Sequence, residues 1–545
     1  MVAGLTVWAV LVPEALAYAS IAGVSPVVGL YAAPGALILY AAFGSSRHLV
    51  TGPMAATAAL SAAAVGDLVA PEADEFVALT VTLGLVTGVL ALAAGLLRLG
   101  FLASFISEPV LKGFIIGLAL TIIVGQLPKL FGVEKGEGNF FEQLWNLLTE
   151  LGGTSGLTLL VGLASLVLVV GLKERAPVVP GSLVAVALGI LAVQLFDLDQ
   201  HGVAIVGDIE GGLPDLGLPD VSAGRYLDVA PAAVGVMLIA FAEGLGAAKT
   251  YAARNHYAID ANRELIGLGA ANLGSGLSSG MVVNGSLSKT AVNASAGAKS
   301  QLSGLVVAAL TIVTLLFLTG LFEELPEATL AAVVIAALIE LVDIRSLVEL
   351  YRLYTRRLGR IYGVAARPDF IAALAALFGV LIFDTLPGLF IGIGVALLLL
   401  LYRTSRPHVA VLGRVPGTPD QYGDISRHPQ NEQLPDVVVL RVESGLFFAN
   451  ADWVRSHILA QVTDETKAIV LDAESIPSID VTAVRMLTDL ADDLDRRGVR
   501  LVLAHDIGQV RDLIRRAEGE EALRRVYPTV QDAVDAVRHS RDAGR

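Results

Sequence analysis

Long apolar runs separated by short polar ones fill the first three quarters of the chain. In order they cover residues 2–20, 27–43, 53–69, 76–97, 105–127, 157–172, 178–196, 228–247, 262–280, 286–297, 301–321, 327–350, 368–384 and 387–403, fourteen candidate spans. A helix needs about 20 apolar residues to cross a bilayer. The third and tenth runs are shorter and more polar than that, so each is expected to cross only part of the way. The tenth lies in the most polar interruption of the apolar region, GLSSGMVVNGSLSKTAVNASAGAKSQ at 276–301. Gly285 and Ser286 break the chain there, and Lys289 sits at a depth where charge is costly. The third lies in GSSRHLVTGPMAATAAL at 44–60, where Gly52 and Pro53 make the break and Met54 opens the helix. Proline is at home in a helix's first turn.

After Arg403 the pattern changes. Residues 406–436 are polar and rich in Pro and Gly and read as a linker. Beyond it, VVVLRVES (437–444), FFANADWVRSHILAQV, AIVLDAESI (468–476), VTAVRMLTDLADDLDRRG, VRLVLAHDI and a closing helix alternate as strands and helices. That is the pattern of a small α/β domain over 437–545. The apolar, membrane-spanning part is accordingly 1–405.

Composition agrees with a polytopic membrane protein. The 545 residues are 54% hydrophobic and 17% charged, with a mean hydropathy of +0.69. A soluble chain of this length carries more charge. The net charge of -14 and the lack of a basic patch exclude a nucleic-acid partner. There is no Cys, which removes disulfides and thiolate metal sites. Residues 2–19 read as a first span and not a cleaved signal, and a cytoplasmic segment preceding residue 1 is expected. No cofactor is called for.

Charge placement supports the count. With both termini cytoplasmic, the inner loops hold Arg47; Arg98; Lys173 and Arg175; Lys249, Arg254 and Arg263; Lys299; and Arg345, Arg352, Arg356, Arg357, Arg360 and Arg367. The outer loops hold Asp67, Glu72, Asp74 and Glu75; Asp197, Asp199, Asp208, Glu210, Asp215, Asp220 and Asp228; and Glu323, Glu324 and Glu327. Only 128–156, with Lys129 and Lys135, mixes signs. This is the bias expected of inside and outside loops.

Fourteen spans split into seven plus seven, roughly 1–200 and 225–405. Repeats of odd span number are inverted relative to each other. The third and tenth segments then occupy matching positions, which marks a binding site. Their helix N-termini would converge from opposite sides. Each offers unpaired N–H groups and about half a positive charge, so the meeting point suits an anion.

The runs LVPEALAYASIAGVSPVVGLY (11–31), GSSRHLVTGP (44–53), NRELIGLGAANLGSG (262–276) and NGSLSKTAVNASAGAKSQLSGL (284–305) resemble the SulP, or sulfate permease, family of anion transporters. The 437–545 region resembles the STAS domain fused to them. The resemblance implies a UraA-like inverted repeat with core and gate subdomains, a homodimer, and a substrate site between the third and tenth helices. The site would be formed by Gly52, Pro53, Met54, Gly285, Ser286, Leu287, Ser288 and Lys289.

Two carboxylates inside spans call for a role. Glu14 follows Pro13 in the first span and would carry a co-transported proton, as burial favours the neutral acid; the bland reading is pairing with a Lys or Arg. Tyr18, four residues on, shares its helix face. It lines the site or simply packs. Glu243, in AFAEGLGAA of the eighth span, could hold sodium with Asn284, Ser286, Ser288 and backbone carbonyls, or pair structurally with Lys289. Arg47 and His48 read as anchors at the cytoplasmic edge, and His48 lacks companions for a metal site. In the STAS region Val481 falls where soluble relatives are phosphorylated, with Thr482 beside it, so a scaffold or dimer role is expected. Asp480 would cap the helix that follows. HDIGQ at 505–509 is too isolated to read.

The expectation is secondary active transport across the cytoplasmic membrane, with no enzymatic activity. Proton-coupled uptake of a fumarate-like dicarboxylate or sulfate ranks first. A sodium-coupled bicarbonate symporter, an anion exchanger and a membrane-anchored STAS-linked sensor are the alternatives.

Overall fold

The computed structural model describes the chain apart from residues 71–72, 74, 102–106, 137, 177–178, 208, 210, 340, 353–366, 419, 506–507, 520–524 and 543–545. Glu72, Asp74, Asp208, Glu210, Arg356, Arg357, Arg360 and the Asp506–Ile507 part of HDIGQ therefore lie outside the described residues. Two compact units result, residues 1–353 with 369–396, and 354–368 with 397–545.

The first half of the membrane unit runs α1 (Val2–Ile21), α2 (Pro26–Phe43), β1 (Val50–Gly52), α3 (Ala55–Gly66), α4 (Glu75–Leu96), α5 (Glu108–Phe131), α6 (Phe140–Glu150), α7 (Gly156–Arg175) and α8 (Gly181–Phe196). The second runs α9 (Ala223–Asp228), α10 (Ala230–Arg254), α11 (Ala261–Leu277), β2 (Asn284–Ser286), α12 (Leu287–Ser295), α13 (Leu302–Phe317), α14 (Glu327–Ile339), α15 (Ile344–Arg352), α16 (Pro368–Phe383) and α17 (Thr385–Ser405). Seven of these helices are long and apolar enough to cross a membrane: α1, α2, α4, α5, α7, α10 and α17. Shorter helices α3, α8, α11, α12, α13, α14 and α16 complete the fourteen expected segments. Leaving aside the short helices α6, α9 and α15, seven fall in each half.

Three details differ from the sequence reading. The twelfth run, expected as one helix over 327–350, ends at Ile339; the separate helix α15 follows, and none of its residues is buried. Its exposed Ile344, Val348 and Tyr351 imitate the hydropathy of a span. The third helix begins at Ala55, so Pro53 precedes the N-cap residue Met54 and does not sit in the first turn. The mixed-charge loop 128–156 contains α6, started by a capping box between Asn139 and Glu142.

Helices pack here through small residues, as they do when lipid offers no hydrophobic drive to association. A Cβ on Gly35 would lie 2.2 Å from the carbonyl oxygen of Gly274, and one on Gly267 would lie 2.6 Å from Gly44 Cα. These two contacts set α2 and α11 backbone to backbone. On the other face of α11, Gly269 lies against Leu92 and Gly88 of α4. Gly29 of α2 approaches the carbonyl of Ala15 in α1 in the same way. Across α1, the Trp8 indole donates to Thr314 Oγ1 of α13 at 3.0 Å. The first helix is thereby walled in, and its middle faces protein, not lipid.

The second unit holds a six-stranded sheet: β3 (Val409–Arg414), β4 (Tyr422–Asp424), β5 (Val437–Val442), β6 (Ala468–Asp472), β7 (Arg500–Ala504) and β8 (Val526–Tyr527), in the order β4-β3-β5-β6-β7-β8. Helices α18 (Ala451–Ala460), α19 (Val481–Arg496), α20 (Gly508–Glu518) and α21 (Val530–Asp542) complete it. The β5-to-β8 part is parallel, with Val437 opposite Ala468 and Ala468 opposite Arg500. The stretch read as linker is more structured than expected. Its β3 pairs antiparallel with β5, Val409 opposite Val442, and β4 folds back on β3. A Pro- and Gly-rich composition hid the edge strand β4, where such residues are tolerated, and its neighbour β3. Asp480 caps α19 as expected, its Oδ1 accepting from Ala483 N at 2.8 Å.

The glycine contacts make a simple prediction. Gly274→Ala forces a methyl group against the Gly35 carbonyl and should destabilise the membrane unit by about 2 kcal/mol. Gly171→Ala, where the added methyl meets nothing, should leave stability unchanged or slightly raised. Thermal unfolding of the detergent-purified chain distinguishes the two.

Candidate anion site

The two short strands explain how the third and tenth helices meet. β1 and β2 pair antiparallel, with Val50 opposite Ser286, Thr51 opposite Gly285 and Gly52 opposite Asn284. Each strand runs directly into a helix, β1 through Pro53 and Met54 into α3, and β2 into α12. Antiparallel pairing therefore sets the two helix starts on opposite sides of one junction. Gly285 is needed at the centre, because a Cβ there would press on Leu49 and on Gly244 Cα within 3.0 Å.

The two N-termini are not equivalent. The α12 start is capped by Ser286, whose Oγ accepts from Lys289 N at 3.1 Å. Ser288 Oγ lies 3.2 Å from Ser286 Oγ. The α3 start has Met54 at its N-cap position and no side-chain cap. Its first-turn amides are the more available donors of the pair.

Lys289 is buried in the first turn of α12. Its ammonium lies 2.6 Å from Glu14 Oε2 and donates to the Pro53 carbonyl at 3.2 Å. It also sits 5.0 Å above the Tyr18 ring, within cation–π range. So α1, α3 and α12 meet at one charged contact. The ammonium and carboxylate touch off the hydrogen-bond axis, an arrangement held by charge more than by direction. Leu287, by contrast, is exposed and turns away from the junction.

Glu243 does not pair with Lys289, contrary to one reading of the sequence. Its Oε2 accepts from Asn284 Nδ2 at 2.8 Å, and Asn284 Oδ1 accepts in turn from Gly285 N at 2.6 Å. The reason is register. Asn284 and Lys289 lie on opposite sides of the Gly285–Ser286 turn, one beside α10 and the other beside α1. Glu14 is the carboxylate within reach of the lysine, so the residue read as a candidate proton site and the lysine's ion-pair partner coincide.

Sequence reasoning missed the frame around this junction. Segment 45–50, which leads into β1, is hydrogen-bonded at every amide. Ser45 N and Ser46 N donate to Glu264 Oε1 at 2.9 and 2.8 Å. Arg47 N donates to Tyr257 Oη at 3.3 Å, His48 N and Leu49 N to Ser46 Oγ, and Val50 N to Thr290 Oγ1 at 3.0 Å. Gln301 Nε2 donates to the Ser46 and Leu49 carbonyls, and Asn293 Nδ2 to that of His48. His48 is thus a buried member of this frame, 3.0 Å from Tyr257 Oη, while Arg47 is exposed above the Tyr257 ring. The signal for Glu264 was present: it is a carboxylate at the edge of an apolar run.

In the second unit, Asp472, Glu474 and His505 bring potential ligand atoms within 4.8 Å of one another. Arg441 already holds Asp472 Oδ2 at 2.8 Å, and Asp472 Oδ1 accepts from Glu474 N and meets His505 Nδ1. A neutralised, hydrogen-bonded carboxylate explains that cluster.

A profile of the sulfate permease family matches residues 1–359, and one of the STAS domain matches 428–533. The chain belongs to the sulfate permease family. A "Probable sulfate transporter" of Mycobacterium tuberculosis strain H37Rv is 36% identical over 546 residues, covering 99% of this chain and 95% of that one. High affinity sulfate transporter 1 of Stylosanthes hamata is 30% identical over 566 residues, covering 98% and 82%. Among solved structures, murine Solute Carrier 26 family member A9, an anion transporter in its inward-facing state, aligns with a TM-score of 0.88 at 23% identity over 98% of this chain and 90% of that one. The transmembrane domain of the cyanobacterial bicarbonate transporter BicA aligns with a TM-score of 0.62 at 23% identity, over 72% and 96%. The fold is that of these helical membrane transporters, and the family member described here is an anion transporter, not an enzyme.

Removing one member of a buried ion pair strands the other. Lys289→Met should cost about 3 kcal/mol or more, and Glu14→Gln with Lys289→Met should recover most of it. A double-mutant cycle on unfolding in detergent tests this; additive losses would show that the two side chains do not interact.

Proposed function

We propose that this transporter takes up sulfate together with protons, by alternating access of the site between α3 and α12. The observation that carries the reading is the 2.6 Å contact between Lys289 and Glu14 at the junction of the two helix starts. An anion arriving at the uncapped α3 N-terminus competes with the Glu14 carboxylate for one ammonium. While Glu14 is ionised, it also repels the anion, by about 4 kcal/mol at 4 Å and an effective dielectric constant of 20. Protonating Glu14 removes that repulsion and frees Lys289 to face the anion. Proton and anion therefore load together, and loss of the proton on the other side expels the anion. Tyr18, beneath the ammonium, keeps Lys289 in place when Glu14 lets go.

Sulfate is favoured over a dicarboxylate by the likeness to sulfate transporters, which extends over nearly all of this chain. The proposal includes a homodimer in the cytoplasmic membrane, with both termini and the STAS domain cytoplasmic. The domain limits proposed are 1–405 and 437–545. Structured strands in 406–436 support counting much of that stretch with the STAS domain.

A sodium-coupled second reading rests on Glu243, whose carboxylate is held by the neutral Asn284 side chain. Asn284 Oδ1 is already engaged by Gly285 N, and Ser286 Oγ caps α12. That leaves fewer of the expected oxygens for sodium and favours the proton.

The test is uptake by proteoliposomes of sulfate, fumarate and bicarbonate under proton or sodium gradients. Sulfate accumulation driven by an inward proton gradient, rising as external pH falls, is the expected result. Glu14→Gln should bind sulfate at least as well as wild type and lose the pH dependence. Uptake driven by sodium alone, or an undiminished proton-driven response in Glu14→Gln, would overturn the coupling.

A further inference from the structure

The geometry points to Glu264 as a positioning residue of the anion site: it fixes segment 45–50 and, through it, the α3 half of the site. This inference rests on the transport reading above and goes beyond it, because Glu264 touches neither Lys289 nor Glu14.

Glu264 is wholly buried in the first turn of α11. The donors to its carboxylate are all neutral. Oε2 accepts from Tyr40 Oη at 2.6 Å, and Oε1 accepts from Ser45 N at 2.9 Å, Ser45 Oγ at 2.5 Å and Ser46 N at 2.8 Å. Hydrogen bonds to an ionised acceptor are about twice as strong as neutral ones. This residue therefore binds the chain leaving α2 more firmly than any neutral side chain in the same frame could. The anchor is also rigidly based. Gly44 meets Gly267 of α11 nearly one turn along from Glu264, at a distance that admits no Cβ on Gly267.

What Glu264 holds leads directly to the site. Four residues separate Ser46 from Val50, where β1 begins its pairing with β2. Four more reach Met54, the N-cap of α3. The other holds on this segment come from Tyr257, Thr290, Asn293 and Gln301. All of them, like Glu264, belong to the second half of the membrane unit. The first-half helix start is thus located by second-half side chains, and Glu264 is the charged member among them. Loosening this segment lets the α3 amides drift from Lys289, and misplacement of about 1 Å is enough to spoil a charged site.

The role separates from simple stability by the kind of substitution that restores it. Glutamine keeps one oxygen for Ser45 N and Ser46 N, and its amide can donate to Tyr40 Oη, which then serves as acceptor. Alanine keeps neither. Because the chain has no Cys, a cysteine at Met54 reports the α3 start without background.

The experiment uses the full chain in proteoliposomes, with radiolabelled sulfate uptake and thiol labelling of Met54→Cys in parallel. Glu264→Ala should raise the half-saturating sulfate concentration about tenfold with a smaller change in maximal rate. It should also change the Met54→Cys labelling rate several-fold. Glu264→Gln, which keeps an acceptor oxygen but gives up the charge-assisted bonds, should restore both only in part, to within about threefold of the parent. If Glu264→Ala does not yield folded protein, Tyr40→Phe, which removes one donor and keeps the carboxylate, should shift both readouts in the same direction by a smaller factor. Unchanged half-saturation in Glu264→Ala, or equal loss in Glu264→Ala and Glu264→Gln, would overturn the positioning role; the latter would make the charge itself a participant. Failure of wild type to move sulfate would sink the transport reading alone, since the labelling rate tests the positioning without transport.

Discussion

A lysine ammonium buried among membrane helices has to be answered, and the site is built around the answer. An isolated charge in such surroundings costs far more than the whole chain's margin of stability. Lys289 is met by a carboxylate, a backbone carbonyl and an aromatic face, drawn from α1, the chain entering α3, and α1 again. Each of these has a second requirement. Glu14 must lie inside a span, where α1 is walled by α2, α12, α13 and α14. The Pro53 carbonyl is free to accept because it precedes α3 and lies outside any helical ladder. Tyr18 must stand four residues after Glu14 on the same face. Moving any one of them leaves the lysine short of a partner.

The backbone around the junction obeys a similar constraint. An irregular segment can lie at depth between spans only if protein satisfies its polar groups. The β1–β2 pairing does this for six residues. The side chains of Glu264, Tyr257, Thr290, Asn293 and Gln301 do it for the approach to β1. The glycine contacts at Gly35, Gly44, Gly267 and Gly274 let those side chains come close enough. Small residues at helix contacts and polar residues at the breaks are therefore two sides of one arrangement.

Much of this was legible in the sequence. The fourteen runs, the two short segments in matching places and the charges between runs follow from hydropathy and loop charge, because lipid imposes those patterns residue by residue. Glu14, Tyr18 and Lys289 were legible as expensive residues in apolar surroundings. Their pairing was not, since it depends on register: Asn284 and Lys289 are five residues apart yet face α10 and α1 respectively. α15 read as part of a span because an amphipathic surface helix next to an apolar one blurs any window average. Strands β3 and β4 were lost in a Pro- and Gly-rich stretch, a composition that the edge strand β4 tolerates. Glu264 lies near the start of the ninth run, 262–280, and its partners Tyr40, Ser45 and Ser46 are more than 200 residues away in sequence, so nothing local announced them.

Under the proposed coupling, the ion pair would also set what the site can do in both directions of transport. A lysine left unpartnered would hold a dianion tightly on either side and release it slowly. A lysine pinned permanently by a carboxylate would offer the anion no net attraction. In the proposed mechanism Glu14 would make the same ammonium available or unavailable according to one proton, so that affinity would follow the proton's own gradient. A ligand shifts an equilibrium only by its differential affinity for the two states. Under the proposed coupling that difference would come from the charge of one buried carboxylate. The two helix N-termini supply the attraction common to both states, and α3, left without a side-chain cap, keeps donors ready for the anion when Glu14 withdraws.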